Sequence, residues 1–253
     1  MAGMLYLVPT PIGNLGDISQ RCRETLEQAD FIAAEDTRVS LKLLNHLQIK
    51  KPLVSYYEHN RAESGQRILE RILAGETCAL VSDAGSPAIS DPGEDLVALC
   101  AANGITVSAI PGPCAVITAL SISGLPTGRF TFEGFLSTNK KSRLAHLQDL
   151  LNAFGPDRRI SLCRELTKLH EEVIRTTLQG ALDYYTDTAP RGEYVLVLEG
   201  AEPPEEEELT VEKALELVSA KMGQGLSRKD AVKQVAKETG FPKNALYDAA
   251  LKG

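Results

Sequence analysis

The chain has 253 residues, 43% of them apolar, which is enough for one large or two medium domains with real cores. No apolar run approaches membrane-spanning length and the N-terminus lacks a basic-then-apolar signal pattern, so a cytoplasmic protein is expected. The net charge of −7 is uneven: residues 1–200 carry 19 basic and 24 acidic side chains, residues 201–208 five glutamates, and residues 209–253 eight basic against five acidic. A basic tail behind an acidic hinge suits a polyanion partner, and suits a solvated helical tail equally. Five scattered cysteines suit reduced thiols. The four histidines show no metal-type spacing, so no metal is expected.

Leu5–Val8 predicts a short strand that breaks at once in Pro9-Thr10-Pro11-Ile12-Gly13-Asn14-Leu15-Gly16-Asp17. Two glycines three apart fall short of a dinucleotide fingerprint, which argues against a nicotinamide enzyme. Asp17 with Gln20 predicts a capping box, and Ile18, Cys22 and Leu26 then form one helical stripe. Phe31–Ala34 predicts the second strand, with Glu35, Asp36, Thr37 and Arg38 at its carboxyl end. Two acids beside an arginine can orient a substrate or accept a proton. Local pattern favours a plainer reading, in which Asp36 or Thr37 caps the next helix and Arg38 neutralises it.

Leu53–Ser55 predicts a third strand, followed by Tyr56-Tyr57-Glu58-His59-Asn60-Arg61. These groups suit stacking on and pairing with a nucleotide, and serve equally as a surface loop before the helix Ser64–Ala74. Cys78–Val81 reads as a buried parallel strand running into Ser82-Asp83-Ala84-Gly85-Ser86-Pro87 and on to Gly93. Gly85 frees the backbone for close approach, Pro87 and Pro92 stiffen the segment, and Asp91 with Pro92 predicts the start of the helix Glu94–Asn103. Ligands settle at the carboxyl ends of strands in open α/β sheets, so this loop is expected to floor the active site.

The strand Thr106–Ile110 ends in Pro111-Gly112-Pro113-Cys114, a rigid turn with free amides before a small-residue helix, Ala115–Ser123. Five strand–turn–helix units predict a parallel sheet covered on both faces, bounded near Leu125-Pro126-Thr127-Gly128. Beyond it, Arg129–Phe135 alternates like a strand, Arg158–Arg164 predicts another, His170–Leu178 a helix, and Tyr194–Leu198 an apolar strand. Basic side chains suited to phosphate gather here: Lys140, Lys141, Arg143, Arg158, Arg159, Arg164 and Lys168. In the tail, Ser227 reads as an N-cap, Thr239-Gly240-Phe241-Pro242 as a turn, and Lys243 as the start of a last helix. The pair resembles a helix-turn-helix, which binds nucleic acid in some proteins and only packs in others.

Several stretches match a known family in order: Val8–Leu15, Ala33–Arg38, Val81–Pro87, Pro111–Ala115, Thr118–Ser121, Phe132–Phe135, Arg164–Lys168 and Lys243–Tyr247. The chain resembles the tetrapyrrole methylase (class III) superfamily, in its branch that modifies small-subunit ribosomal RNA. The resemblance implies two α/β domains, 1–125 and 129–200, with a small helical C-terminal extension, 209–253, helix-turn-helix-like. It implies a homodimer, with S-adenosyl-L-methionine held between the domains and its methyl transferred to the 2′-hydroxyl of a cytidine in the decoding region of 16S rRNA. Cofactor contacts are expected from Pro11, Gly13 and Asn14, from Asp83, Ala84, Gly85, Ser86 and Pro87, and from Pro111, Gly112, Pro113, Cys114 and Ala115. The second domain is expected to add Phe132, Glu133, Gly134, Glu165, Leu166 and Thr167.

A sulfonium donor needs little covalent help, so positioning should carry most of the catalysis. A ribose hydroxyl is a poor nucleophile that needs a base or a nearby cation. Glu35, Asp36, Arg38, His59 and Lys168 are the candidates, Asp36 with Arg38 first. Arg38, Arg61, Lys140, Lys141, Arg143 and Lys243 are the candidates for RNA contact. Rival readings are methylation of a tetrapyrrole or another small substrate on the same fold, and a non-catalytic RNA-binding assembly factor. The chain departs from the family pattern once. Between Phe135-Leu136 and Phe154-Gly155-Pro156-Asp157 the family carries an additional apolar strand ending in a Tyr-Glu-Ser-Pro-His-like motif. Here Ser137–Ala153 is basic and helical, so either the second domain lacks a strand or the sequence omits a segment.

Overall fold

The structure is a computed structural model that describes residues 3–200 and 210–252. It divides into two compact units, Met1–Gly200 and Ala201–Gly253. In the first, short apolar-rich runs give five parallel strands: β1 (Met4–Leu7), β2 (Phe31–Ala34), β3 (Leu53–Ser55), β4 (Cys78–Val81) and β5 (Thr106–Ala109). Their order is β3-β2-β4-β1-β5. The strands β2 and β4 are buried throughout, as strands covered on both faces should be.

Alternation along the strands divides the core. Leu5, Phe31, Ala33 and Leu80 pack on Ile68, Ile72 and Leu96 of α3 (Arg61–Leu73) and α4 (Gly93–Ala102). Val8, Ile32, Ala34 and Val81 pack on Cys22, Leu26 and Leu44 of α1 (Gln20–Gln28) and α2 (Thr37–His46). Each fully buried large side chain contributes roughly 1.5–3 kcal/mol. The expected capping box at Asp17 does not form. Ser19 caps α1 instead, its Oγ accepting from the Cys22 N–H at 3.1 Å, while Asp17 ends a short 3-10 turn.

The helix α5 (Ala115–Ile122) leads into an antiparallel sheet, β7-β6-β8, built from β6 (Arg159–Arg164), β7 (Glu172–Thr177) and β8 (Tyr194–Leu198). Ala119 and Ile122 of α5 pack against Cys163, Val173, Val195 and Val197. Two expectations are corrected here. Residues 172–177 form a strand, because Val173, Ile174, Thr176 and Thr177 are β-branched and fit the pleated surface. The helix α7 (Leu178–Asp187) starts only after them, capped by Thr177. Arg129–Phe135 forms no strand. Both edges of β6 are taken by β7 and β8, and the residues that follow form α6 (Lys140–Phe154), capped by Asn139. Phe130, Phe132 and Phe135 are left exposed, and α6 buries no residue.

The second unit is a cluster of three helices, α8 (Val211–Gly223), α9 (Arg228–Thr239) and α10 (Lys243–Lys252), closed on Ala214, Val218, Ala231, Val232, Val235 and Leu246. Ser227 caps α9 and Gly240, at φ 71°, ends it in the left-handed conformation. All five cysteines are free thiols. Among the described residues no helix is long and apolar enough to cross a membrane, and no group of His, Cys, Asp and Glu could hold a metal ion.

Candidate active site

Three loops meet beyond the carboxyl ends of β1, β4 and β5. Thr10 and Gly85 exchange backbone hydrogen bonds of 2.9 and 3.0 Å, and the Thr10 hydroxyl donates to the Ser82 carbonyl at 3.2 Å. Ser86 Oγ donates to the Pro113 carbonyl at 3.1 Å, tying the central loop to the Pro-Gly-Pro turn. Gly85 has φ 85°, and a Cβ there would stand 3.3 Å from Ile12 Cγ2. Gly112 answers to space rather than conformation, since a Cβ would lie 2.8 Å from Pro9 Cβ. A cavity of about 350 Å³ opens against these loops, lined among others by Leu7, Pro9, Pro87, Ile89, Val97 and Ile110.

A fourth segment arrives from the second sheet. Glu165 and Thr167, beyond β6, sit at φ 49° and 66°. A Cβ on Gly13 would meet Lys168 Cγ at 2.6 Å and Thr167 Oγ1 at 2.8 Å, so only glycine lets the first loop lie against this segment. Thr167 Oγ1 is buried and has no hydrogen-bond partner among the described residues. Four of the five described non-glycine residues with positive φ are Ala88, Ser90, Glu165 and Thr167. Backbone strain is thus concentrated in the central loop and the segment after β6, the pattern expected of a ligand site.

The end of β2 adds charge. Asp36 Oδ1 accepts from the Arg38 backbone N–H (2.8 Å) and Nε–H (3.0 Å), and Oδ2 accepts from Nη2 (2.6 Å). The plainer local reading therefore holds: Asp36 caps α2, and its hydrogen bonds with Arg38 push its pKa down to about 2. Glu35 is the opposite case. Burial, then the nearby charges of Asp83, Asp91 and Asp36, push its pKa up, and no described donor reaches its carboxylate. Asp83 Oδ1 accepts from the Asp36 N–H at 3.1 Å, joining β2 to the central loop. Asp91 accepts from the Ala88 and Gly93 amides at 2.9 and 2.7 Å, holding the start of α4 from one position before the assigned cap, Pro92.

The remaining expected residues scatter. Asn14 caps the 3-10 turn, and Cys114 and Ala115 open α5. Phe132 and Glu133 are exposed, while Gly134 at φ 77° approaches Ser90, whose Oγ would be 3.9 Å from a Cβ. Lys168 is held by Glu165 (3.1 Å) and Glu193 (2.8 Å), which keep its ammonium charged. His59 is exposed beside the edge strand β3, its ring edge-on to Tyr57 at 6.1 Å. Arg61 pairs with Asp95 at 2.7 Å, and Arg143 donates to the Ser137 and Thr138 carbonyls at 3.2 Å. Lys140, Lys141 and Lys243 are exposed. Ile89 lies in the loop expected to floor the site, whereas the cavity walls at Leu7, Val97 and Ile110 escaped the sequence reading. Their signal was position alone, at strand ends and in the first turns of α4.

The family described as Tetrapyrrole (Corrin/Porphyrin) Methylases matches residues 4–182, and the RsmI C-terminal HTH domain matches residues 205–253. The chain belongs to the tetrapyrrole methylase family. Within it, the chain is 45% identical over 273 positions to ribosomal RNA small subunit methyltransferase I of Synechocystis sp., covering 99% of this chain and 98% of that one. It is 44% identical over 272 positions to the protein of the same name from Halalkalibacterium halodurans, covering 97% and 94%. An alignment of 273 positions exceeds the 253 residues of the chain, so at least 20 positions of the first relative have no counterpart here. Among solved structures, uroporphyrin-III C-methyl transferase from Thermus thermophilus, complexed with S-adenyl homocysteine, matches with TM-score 0.54 and 18% identity over 78% of this chain and 97% of that one. That likeness speaks to the fold.

Membership makes S-adenosylmethionine the methyl donor of this chain. The residues present fit it. Gly85 and Gly112 let the three loops close tightly on one another beside the cavity, Thr167 offers an unused hydroxyl, and the cavity wall is mostly apolar. Carboxylates at Asp83 and Asp91 suit a cationic ligand.

Proposed function

We propose that the chain methylates small-subunit ribosomal RNA, at the 2′-hydroxyl of a cytidine in the decoding region. The observation that carries the RNA substrate is the full-length 45% identity to a ribosomal RNA small subunit methyltransferase I. The tail supports it, since the uroporphyrin enzyme matches only 78% of this chain while residues 205–253 match the RsmI C-terminal domain. The cytidine and its 2′-hydroxyl rest on the motif resemblance. The homodimer belongs to the same proposal, as a way for a chain of net charge −7 to gather a basic surface.

When bound, S-adenosylmethionine supplies a methyl group on a positively charged sulfur. The protein positions donor and acceptor and handles one proton. The loops around Thr10, Gly85 and Gly112 hold the donor, with Thr167 as an added hydrogen-bonding group. Glu35 accepts the proton of the ribose hydroxyl: it is half-buried, unengaged and next to the central loop. Asp36 and Arg38 saturate each other and act by position, holding the start of α2. His59 and Lys168 take no proton in this scheme. Lys140 and Lys141, both exposed, are the proposed phosphate contacts of the first unit, whereas Arg38, Arg61 and Arg143 are engaged by Asp36, by Asp95 and by the Ser137 and Thr138 carbonyls.

The test is methyl transfer from labelled donor to purified small subunits. Wild type is expected to label the RNA, and Glu35→Gln to lower the rate about 10²–10⁴-fold with donor affinity kept. Label passing to a tetrapyrrole precursor and not to the subunit would contradict the substrate; an unchanged Glu35→Gln rate would remove Glu35 from the chemistry.

A further inference from the structure

The helix α9 carries three lysines, Lys229, Lys233 and Lys237, at successive i,i+4 positions. That spacing puts them on one face, about 6 Å apart along the axis. All three are exposed, opposite the face that buries Ala231, Val232 and Val235. Like charges at i,i+4 destabilise a helix, so the stripe opposes folding of the tail unless an anion meets it. The acids of α9 do not relieve it. Glu238 is taken by Lys221 (3.0 Å) and Gln234 (2.8 Å), and Asp230 by the Ser227 hydroxyl (2.5 Å). Among the described residues no carboxylate forms a salt bridge with any of the three lysines. The last helix, α10, is a poorer candidate for a charged contact, since beyond Lys243 its described exposed residues are Asn244, Ala245, Tyr247, Asp248 and Leu251.

From this geometry we infer that the lysine face of α9, rather than the helix after the turn, grips the phosphate backbone of the RNA substrate. The inference rests on the RNA reading above and deepens it by naming the gripping surface. Ammonium groups on flexible stems reach phosphates as point charges without reading bases. The stripe therefore supplies affinity and register, and leaves the choice of nucleotide to the catalytic unit.

The test compares the full-length wild type with a Lys229→Ala/Lys233→Ala/Lys237→Ala variant, using small subunits as the probe. Alanine favours helix, so the tail is expected to stay folded, checked by circular dichroism. Subunit affinity should fall roughly tenfold or more, and the slope of log affinity against log salt should flatten by about 2–3. Donor affinity should be unchanged, and a triple Lys→Arg variant should bind like wild type. A folded alanine variant that keeps wild-type affinity and salt slope overturns the inference, even when wild type methylates the subunit as proposed. Should wild type transfer no methyl to the subunit, the enzymatic reading fails by itself, and the same binding comparison, made with isolated small-subunit RNA, still decides the stripe.

Discussion

Glu35 and Asp36 are neighbours in the chain, yet Asp36 is saturated by Arg38 while Glu35 sits half-buried among Asp83, Asp91 and Asp36. A base must be ionised to accept a proton, and a raised pKa means that Glu35 protonates at a higher pH than a free glutamate. The rate should therefore fall on the acid side as pH drops through a value above the usual 4.3 or so. Glu35→Asp should keep such a limb and Glu35→Gln should abolish it along with most of the rate. The same sign governs stability. The folded pKa is above the unfolded one, so the ionised form is the costly one at neutral pH, and Glu35→Gln is expected to raise the melting temperature there. A lower melting temperature would mean that the carboxylate has a partner unseen in this geometry.

The sequence made both acids visible as a pair at a strand tip, but not their division of labour. Arg38 follows Asp36 by two positions and can reach it through a cap; what surrounds Glu35 comes from Asp83 and Asp91, some 50 residues away. Thr167 shows the same limit. Its hydroxyl is buried without a partner and lies against Gly13, a contact between distant segments. Thr167→Val keeps the shape and removes the unpaired group. The donor-free protein should be as stable or more so, while calorimetry should find donor affinity reduced about 5–10-fold. Equal affinity would show that the hydroxyl does not serve the ligand.

Among the elements, the parallel sheet was legible because β1, β2, β4 and β5 are short runs that end at proline, acid or the Ser82-Asp83 turn, and α1 to α4 each carry one buried stripe. The second sheet was harder to read. Glu172–Thr177 mixes helical-looking charges with β-branched residues, and pairing with β6 decided the outcome. Arg129–Phe135 has a strand's alternation but pairs with no described strand, and its phenyl rings are exposed. The Pro-Gly-Pro turn was read for its free amides, whereas the structure adds a steric reason for the glycine. Gly112→Ala would drive a Cβ to 2.8 Å from Pro9 Cβ, pushing the first loop off the central one. Donor affinity should fall tenfold or more by calorimetry, with the β2–β4 core intact. Wild-type affinity would show that the first loop does not shape the donor site.

At the scale of the whole molecule, the fold is that of the tetrapyrrole methylases, and residues 205–253 match the RsmI C-terminal HTH domain. Eight motifs in register revealed the family in the sequence, yet nothing in their spacing fixes the acceptor atom. The same sheet can present a methyl group to a ring carbon or to a sugar oxygen. In the proposed enzyme the loops at Gly85 and Gly112 hold the donor, Glu35 accepts the proton, and a lysine face binds RNA phosphate. The central claim is the acceptor. Small subunits treated with the purified chain and donor should be digested to nucleosides and mapped by mass spectrometry. The account predicts one added methyl, on the ribose of a cytidine in the decoding region. A methyl on a base, or RNA left unmodified while the donor binds, would contradict it.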